Sequence, residues 1–153
     1  MTGTSNLAKL PVYVLAEDGV TVPQKQTAGS AGVDLRAREG GALAPGERAL
    51  VPTGLRLALP HGTVADVRPR SGLALKHGVT VLNAPGTIDQ DYRGELGVLI
   101  INHDQRETFT WQAGDRIAQL VILPVADVDF LEVTGGFGAT VRGTGGWGST
   151  GVH

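Results

Sequence analysis

The chain has 153 residues, 41% of them apolar and 18% charged, with a formal net charge of −2 and no cysteine. Such a length and composition fit one globular domain with a real core and exclude a disordered chain. The charge leaves no global positive field to attract nucleic acid, and without cysteine there are no disulfides, thiolate metal sites or cysteine nucleophiles.

The opening stretch "MTGTSNLAKLPVYVLAEDG" has no basic region leading into a long apolar run, so no signal peptide is expected. The longest apolar run, "VLII" at 98–101, is far too short to cross a membrane, and a cytoplasmic location follows as the expectation. The first thirty residues hold one strand. Beyond them, glycine and proline punctuate the chain at "PGER" (45–48), "LPHG" (59–62), "APG" (84–86) and "QAGD" (112–115). Between these turns lie short segments rich in valine, leucine and isoleucine: 49–59, 78–82, 96–102, 108–111 and 116–123. Short strands at regular spacing predict an all-β sandwich or barrel. One short helix is predicted at "SGLALK" (71–76), with Ser71 as N-cap and Gly78 as its stop. From about residue 134 glycine dominates and apolar content falls. The expected organisation is a single domain with a body over 1–135 and a mobile arm over 136–153.

Five stretches carry residues suited to chemistry. In "SAGVDLRA" (30–37), Asp34 sits among small and apolar neighbours, and its plain reading is a backbone acceptor in a turn entering a strand. In "RPRSGLALKHG" (68–78), Arg70, Ser71 and Gly72 adjoin at a helix start, where unpaired N–H groups and an arginine fork suit a phosphate; the alternative is a capped helix with solvated arginines. "VLNAPGTIDQDYRGELG" (81–97) reads as a hairpin about a Pro-Gly turn. Asn83 on its rising arm offers a donor and an acceptor to the edge of a pyrimidine. Asp89, Asp91 and Glu95 are candidate bases; a polar turn with solvated acids is the better reading for Asp91 and Glu95 and an open alternative for Asp89. In "AGDRIAQLVIL" (113–123), Arg116 and Gln119 are three apart, so a regular strand points them to opposite faces. The fifth stretch, "RGTGGWGSTG" (142–151), surrounds Trp147 with glycine. Arg142, Ser149, Thr150 and glycine amides suit an anion, and Trp147 suits stacking on a planar ligand; a glycine-rich tail is the plain alternative. His61, His77, His103 and His153 show no ligand spacing, so no transition-metal site is expected.

Taken together and in order, "AGVDLRA" (31–37), "RPRSGLA" (68–74), "GTIDQDYRGE" (86–95), "GDRIAQL" (114–120) and "RGTGGWGSTG" resemble the five motifs of the homotrimeric all-β deoxyuridine triphosphatases, the dUTPases. The resemblance spans residues 31–151. It implies a distorted jelly-roll β-barrel, a homotrimer with three active sites at its interfaces, and Mg²⁺-dependent hydrolysis of dUTP to dUMP and pyrophosphate. That activity limits uracil incorporation into DNA and supplies dUMP for thymidylate synthesis. By the same resemblance Asp89 activates the attacking water. Asn83 reads uracil together with the backbone of the Gly86, Thr87 and Ile88 stretch, and Tyr92 packs under the deoxyribose. Arg70, Ser71, Gly72 and Gln119 meet phosphate, Arg142, Gly148, Ser149 and Thr150 close over the substrate, and Trp147 stacks on uracil where the family usually has phenylalanine. Asp34 supports the metal–water network, and the ion itself is held by the triphosphate and water. Arg116 is assigned to the interface or core. Two rivals remain: a dCTP deaminase of the same fold, and a non-catalytic nucleotide-binding trimer.

Overall fold

The computed structural model describes residues 9–146. Among them the chain forms β1 (Tyr13–Ala16), β2 (Val33–Arg36), β3 (Gly41–Leu43), β4 (Arg48–Pro52), β5 (Leu55–Ala58) and β6 (Thr63–Arg68). There follow α1 (Ser71–His77), β7 (Val79–Val81), β8 (Gly86–Ile88), β9 (Gly97–Asn102), β10 (Phe109–Trp111) and β11 (Arg116–Pro124). All pairings are antiparallel. The larger sheets have the orders β2-β11-β6-β8 and β4-β9-β7, and two-stranded ribbons β1-β5 and β3-β10 complete the fold.

Period-two alternation decides which face of each strand turns inward. Along β9, Val98, Ile100 and Asn102 are buried while the residues between them are half-buried. Leu35 of β2, Ala65 and Val67 of β6, Val51 of β4, Val79 and Val81 of β7 and Leu120 of β11 join them in one apolar core shared by both larger sheets. The predicted strands appear where expected. The run 49–59 divides at Thr53-Gly54, where Gly54 adopts φ +69° and the Thr53 hydroxyl donates to the Leu96 carbonyl at 2.5 Å. β3 and β6 carried no separate sequence signal. β6 is interrupted by Asp66, a buried acid on the face opposite Ala65 and Val67 that is paired to Arg68 at 2.8 Å.

The helix differs from expectation at its start. Arg70 is its N-cap residue, in extended conformation and without a side-chain cap, and Ser71 is already helical. Pro69 and the pull of the Arg70 side chain toward β2 set this entry, so the hydroxyl of Ser71 caps nothing. At the other end Gly78 adopts the left-handed conformation and donates to the Ala74 carbonyl, as the glycine stop predicts. The last strand closes at Pro124, and residues 124–146 are exposed throughout.

Asn102 ties the fold together from inside. It is wholly buried, and its amide donates to the carbonyls of Leu43 at 3.0 Å and Glu107 at 2.9 Å while its oxygen accepts from the Asp104 N–H at 2.9 Å. Removing it strands three backbone groups, so Asn102→Ala is expected to cost about 3 kcal/mol in urea unfolding; Asn102→Asp, which keeps only the acceptor, should cost nearly as much. In the same loop, the N–H groups of Glu107 and then Arg106 hold the Asp104 carboxyl below its ordinary value of 3.8. A carboxyl lowered on folding contributes stability above its unfolded value and loses it as the pH falls through the folded one. Acid unfolding of Asp104→Asn should accordingly be less steep below pH ~4 than that of the wild type.

Candidate functional site

The segment predicted as a hairpin over 81–97 does not form one. β7 pairs with β9 in the three-stranded sheet, and β8 pairs with β6 in the four-stranded sheet. The Pro-Gly region is a crossover between sheets, closed by a turn bond from Ala84 N–H to the Val81 carbonyl at 3.2 Å. Val79 and Val81 are buried against β9, so the chain must leave that sheet before Gly86 can lie against Val67 of β6. This crossover and the turn after β8 enclose two adjoining hollows. The larger, of about 610 Å³, is lined by Leu50, Pro52, Thr87, Ile88, Asp89, Tyr92, Glu95 and Gly97. The smaller, of about 180 Å³, has Asn83 and Gly86 against Val67 and Leu99, and shares Leu50, Thr87, Ile88 and Gly97 with the first.

Gly86 is required for that closeness. A Cβ there would lie 3.3 Å from both the Asn83 amide nitrogen and the Val67 Cβ. Tyr92 stands at the mouth, half exposed, its hydroxyl donating to the Glu95 carbonyl at 3.1 Å. The Glu95 carboxylate accepts the Gly54 N–H at 2.7 Å, so this candidate base instead fastens the β4–β5 turn. Asp89 is exposed and, among the described residues, its carboxylate has neither a hydrogen-bond donor nor an ion-pair partner. Asp91 is exposed beside a third hollow of about 710 Å³, on the other side of Asp89, where His61, Asp66 and Asp127 also lie.

A second group gathers around Asp34. Its Oδ1 meets Arg70 Nε at 3.1 Å and its Oδ2 meets Arg116 Nη1 at 3.5 Å. Arg70 also donates to the Arg116 carbonyl at 3.0 Å, and the Gln119 amide donates to the Pro69 carbonyl at 2.9 Å. Arg116 and Gln119 therefore work on one side of the sheet, against the expectation of opposite faces. The reason is a bulge: Arg116 opposes Arg36 and Ala118 opposes Leu35, which leaves Ile117 as an extra residue. The insertion turns a separation of three into two ladder steps and restores the same face. Arg116 has 44% of its side chain exposed and is an ion-pair partner of Asp34, so it does not belong to the core. Ser71 and Gly72 are exposed at the helix start beside Arg70.

The structure thus forms two clusters from the sequence candidates. Neither hollow lined by Asp89 includes Arg70, Ser71, Gly72 or Gln119. Arg142 is exposed, and its guanidinium bonds locally to the Gly145 carbonyl at 2.8 Å. Trp147, Gly148, Ser149 and Thr150 lie outside the described residues. Sequence reasoning passed over Leu50, which belongs to both hollows and is 69% exposed. Its signal was parity: Val51 turns into the core, so the leucine beside it must face outward.

The sequence model of the dUTPase family matches residues 18–151. A deoxyuridine 5'-triphosphate nucleotidohydrolase of Anaeromyxobacter sp. (strain Fw109-5) is 58% identical over 130 residues, 85% of this chain and 87% of that protein. A dUTPase of Staphylococcus bacteriophage 80alpha, solved with dUpNHpp, superposes with a TM-score of 0.84 at 27% identity, over 93% of this chain and 99% of that one. The dUTPase of phage phi11 of S. aureus, described with a structural Mg(II) ion, gives a TM-score of 0.74 at 26% identity over 80% of this chain and 96% of its own. Agreement in sequence along most of the chain and in fold along nearly all of it leads to one conclusion: this chain belongs to the dUTPase family.

Proposed function

We infer that the chain hydrolyses dUTP to dUMP and pyrophosphate, with Asp89 as the base, in sites completed between copies of a homotrimer. The observation that carries the residue assignment is the unpartnered Asp89 carboxylate at the edge of the hollow that adjoins Asn83. A base must reach its water and keep an oxygen free to take the proton. Asp89 accepts a proton from the attacking water, a new O–P bond forms, and the bond to the departing pyrophosphate breaks. The Asn83 amide and the backbone around Gly86, Thr87 and Ile88 read the uracil edge in the smaller hollow, and rejection of a 5-methyl group there belongs to the same proposal. Tyr92 packs under the deoxyribose and excludes a 2′-hydroxyl.

Arg70 supplies a fork to the phosphate oxygens, with Ser71, Gly72 and Gln119 beside it. These residues sit apart from the Asp89 hollows, which supports a site whose phosphate half comes from a second copy. Tyr13 (71% exposed) and Leu15 (73%) on β1, and Phe130 (96%) and Phe137 (93%) beyond β11, also favour burial against another copy. The glycine-rich arm closes over the bound nucleotide, with Arg142, Ser149 and Thr150 toward phosphate and Trp147 stacked on uracil, a contact worth roughly 1–3 kcal/mol.

Magnesium fits as the nucleotide's own ion. Among the described residues no group of three or more His, Asp or Glu is placed to hold a metal. Both Asp34 oxygens face arginines, which leaves Asp34 a supporting role beside an ion held by triphosphate and water. When bound, the ion would supply countercharge to the triphosphate. No helix among the described residues is long and apolar enough to cross a membrane.

Pyrophosphate release with Mg²⁺ from dUTP, dTTP, UTP and dCTP tests the reading. Turnover of dUTP alone is expected, with a loss of about 10³-fold in Asp89→Asn. Ammonia from dCTP would make the chain a deaminase, and nucleotide binding without turnover would make it a binding trimer. Light scattering should give three chains per particle. Gly86→Ala places a methyl against the Asn83 amide and should raise KM for dUTP about tenfold, or ~1.4 kcal/mol, with a smaller change in kcat.

A further inference from the structure

The turn that carries Asp89 is tied down on three sides, and the third tie is unlike the others. Its backbone closes through the Tyr92 N–H on the Asp89 carbonyl at 3.1 Å. The Arg93 guanidinium donates to the carbonyls of Gln90 at 2.7 Å and Tyr92 at 2.8 Å. Both of these ties are local and travel with the turn. The third is long-range: the Gly62 N–H donates to Gln90 Oε1 at 2.9 Å, across 28 positions of sequence.

Gly62 is a fixed anchor. Its carbonyl accepts the Val125 N–H at 2.9 Å, next to the end of β11, and the Thr63 hydroxyl closes the same turn on the Pro60 carbonyl at 2.7 Å. Its φ of +73° lies in the left-handed region that favours glycine. Gln90 is half-buried and follows Asp89 directly, so a hold on its side chain fixes the backbone on the far side of Asp89 from β8. Ile88, the last residue of β8, fixes the near side.

We propose that Gln90 is a positioning residue: its side chain, held by the Gly62 peptide, sets where the Asp89 carboxylate stands over the larger hollow. Without that bond the turn keeps its two local ties and pivots on Ile88. The carboxylate remains present but is no longer aimed. Misplacement of a reacting group by about 1 Å costs up to ~10²-fold in rate, and it leaves uracil binding at Asn83, which lies on the crossover outside the turn, intact. The inference rests on Asp89 as the base.

The test uses the full-length chain with dUTP and Mg²⁺ and compares wild type, Asp89→Asn, Gln90→Met and Gln90→Glu at a temperature well below the melting point of each. Gln90→Met keeps the length and removes the acceptor; it should lower kcat by about 10- to 100-fold with KM changed by less than about threefold. Gln90→Glu keeps an acceptor oxygen for the Gly62 N–H and should recover most of the rate. Wild-type kcat in Gln90→Met beside an inactive Asp89→Asn overturns the positioning role and leaves the base assignment standing. Equal losses in Gln90→Met and Gln90→Glu, or a loss carried by KM alone, also overturn it. Full activity in Asp89→Asn removes the base assignment itself.

Discussion

The single extra residue at Ile117 governs the geometry of one half of the site. β11 is a nine-residue strand that pairs with β2 along one edge and β6 along the other. Its pairing with β2 skips Ile117, since Arg116 opposes Arg36 and Ala118 opposes Leu35. That bulge brings Arg116 onto the face that carries Asp34 and Gln119. Arg70 then completes the group by reaching from the start of α1 to Asp34 and to the Arg116 carbonyl. Beyond the bulge the ladder to β6 runs without a break from Gln119 to Pro124, and β6 in turn holds β8 in place. The arginine cluster and the Asn83 hollow are thereby set by the same four-stranded sheet.

The strands were legible because apolar runs and turn residues alternate clearly in the chain, and α1 because Gly78 marks its end. What escaped was mostly a matter of which partner each segment chooses. The hairpin expected over 81–97 failed because a Pro-Gly turn looks alike whether its arms pair with each other or leave for different sheets. β6 was hard to see because Asp66 and Arg68 interrupt its apolar pattern, although they share the face opposite Ala65 and Val67 and pair with each other. Spacing alone was a poor guide to the faces of Arg116 and Gln119, because the bulge at Ile117 shows only in the pairing with β2. Glu95 was indistinguishable from Asp89 as a carboxylate in a polar turn. Only the fold separates them: one accepts the Gly54 N–H and the other has no partner among the described residues. The family resemblance identified the motifs, but it did not reveal that Asp34 is clasped by two arginines.

The two clusters are built on different physical terms. Around Asn83, Gly86 and Leu50 the walls are close and largely apolar, and selectivity there is a question of shape. Around Asp34 the side chains are charged and partly exposed, and the interactions are long-range and weakened by solvent. A ligand with a flat base at one end and a string of phosphates at the other suits this division. It also explains why the hollows next to Asp89 hold so little positive charge.

The Asp34 clasp has an electrostatic consequence of its own. Two guanidinium groups and one carboxylate leave a net charge of +1 at the cluster, so the phosphate proposed to bind there would meet one uncompensated charge. Capture there should weaken only gently as ionic strength rises, because screening acts on one uncompensated charge and not on two.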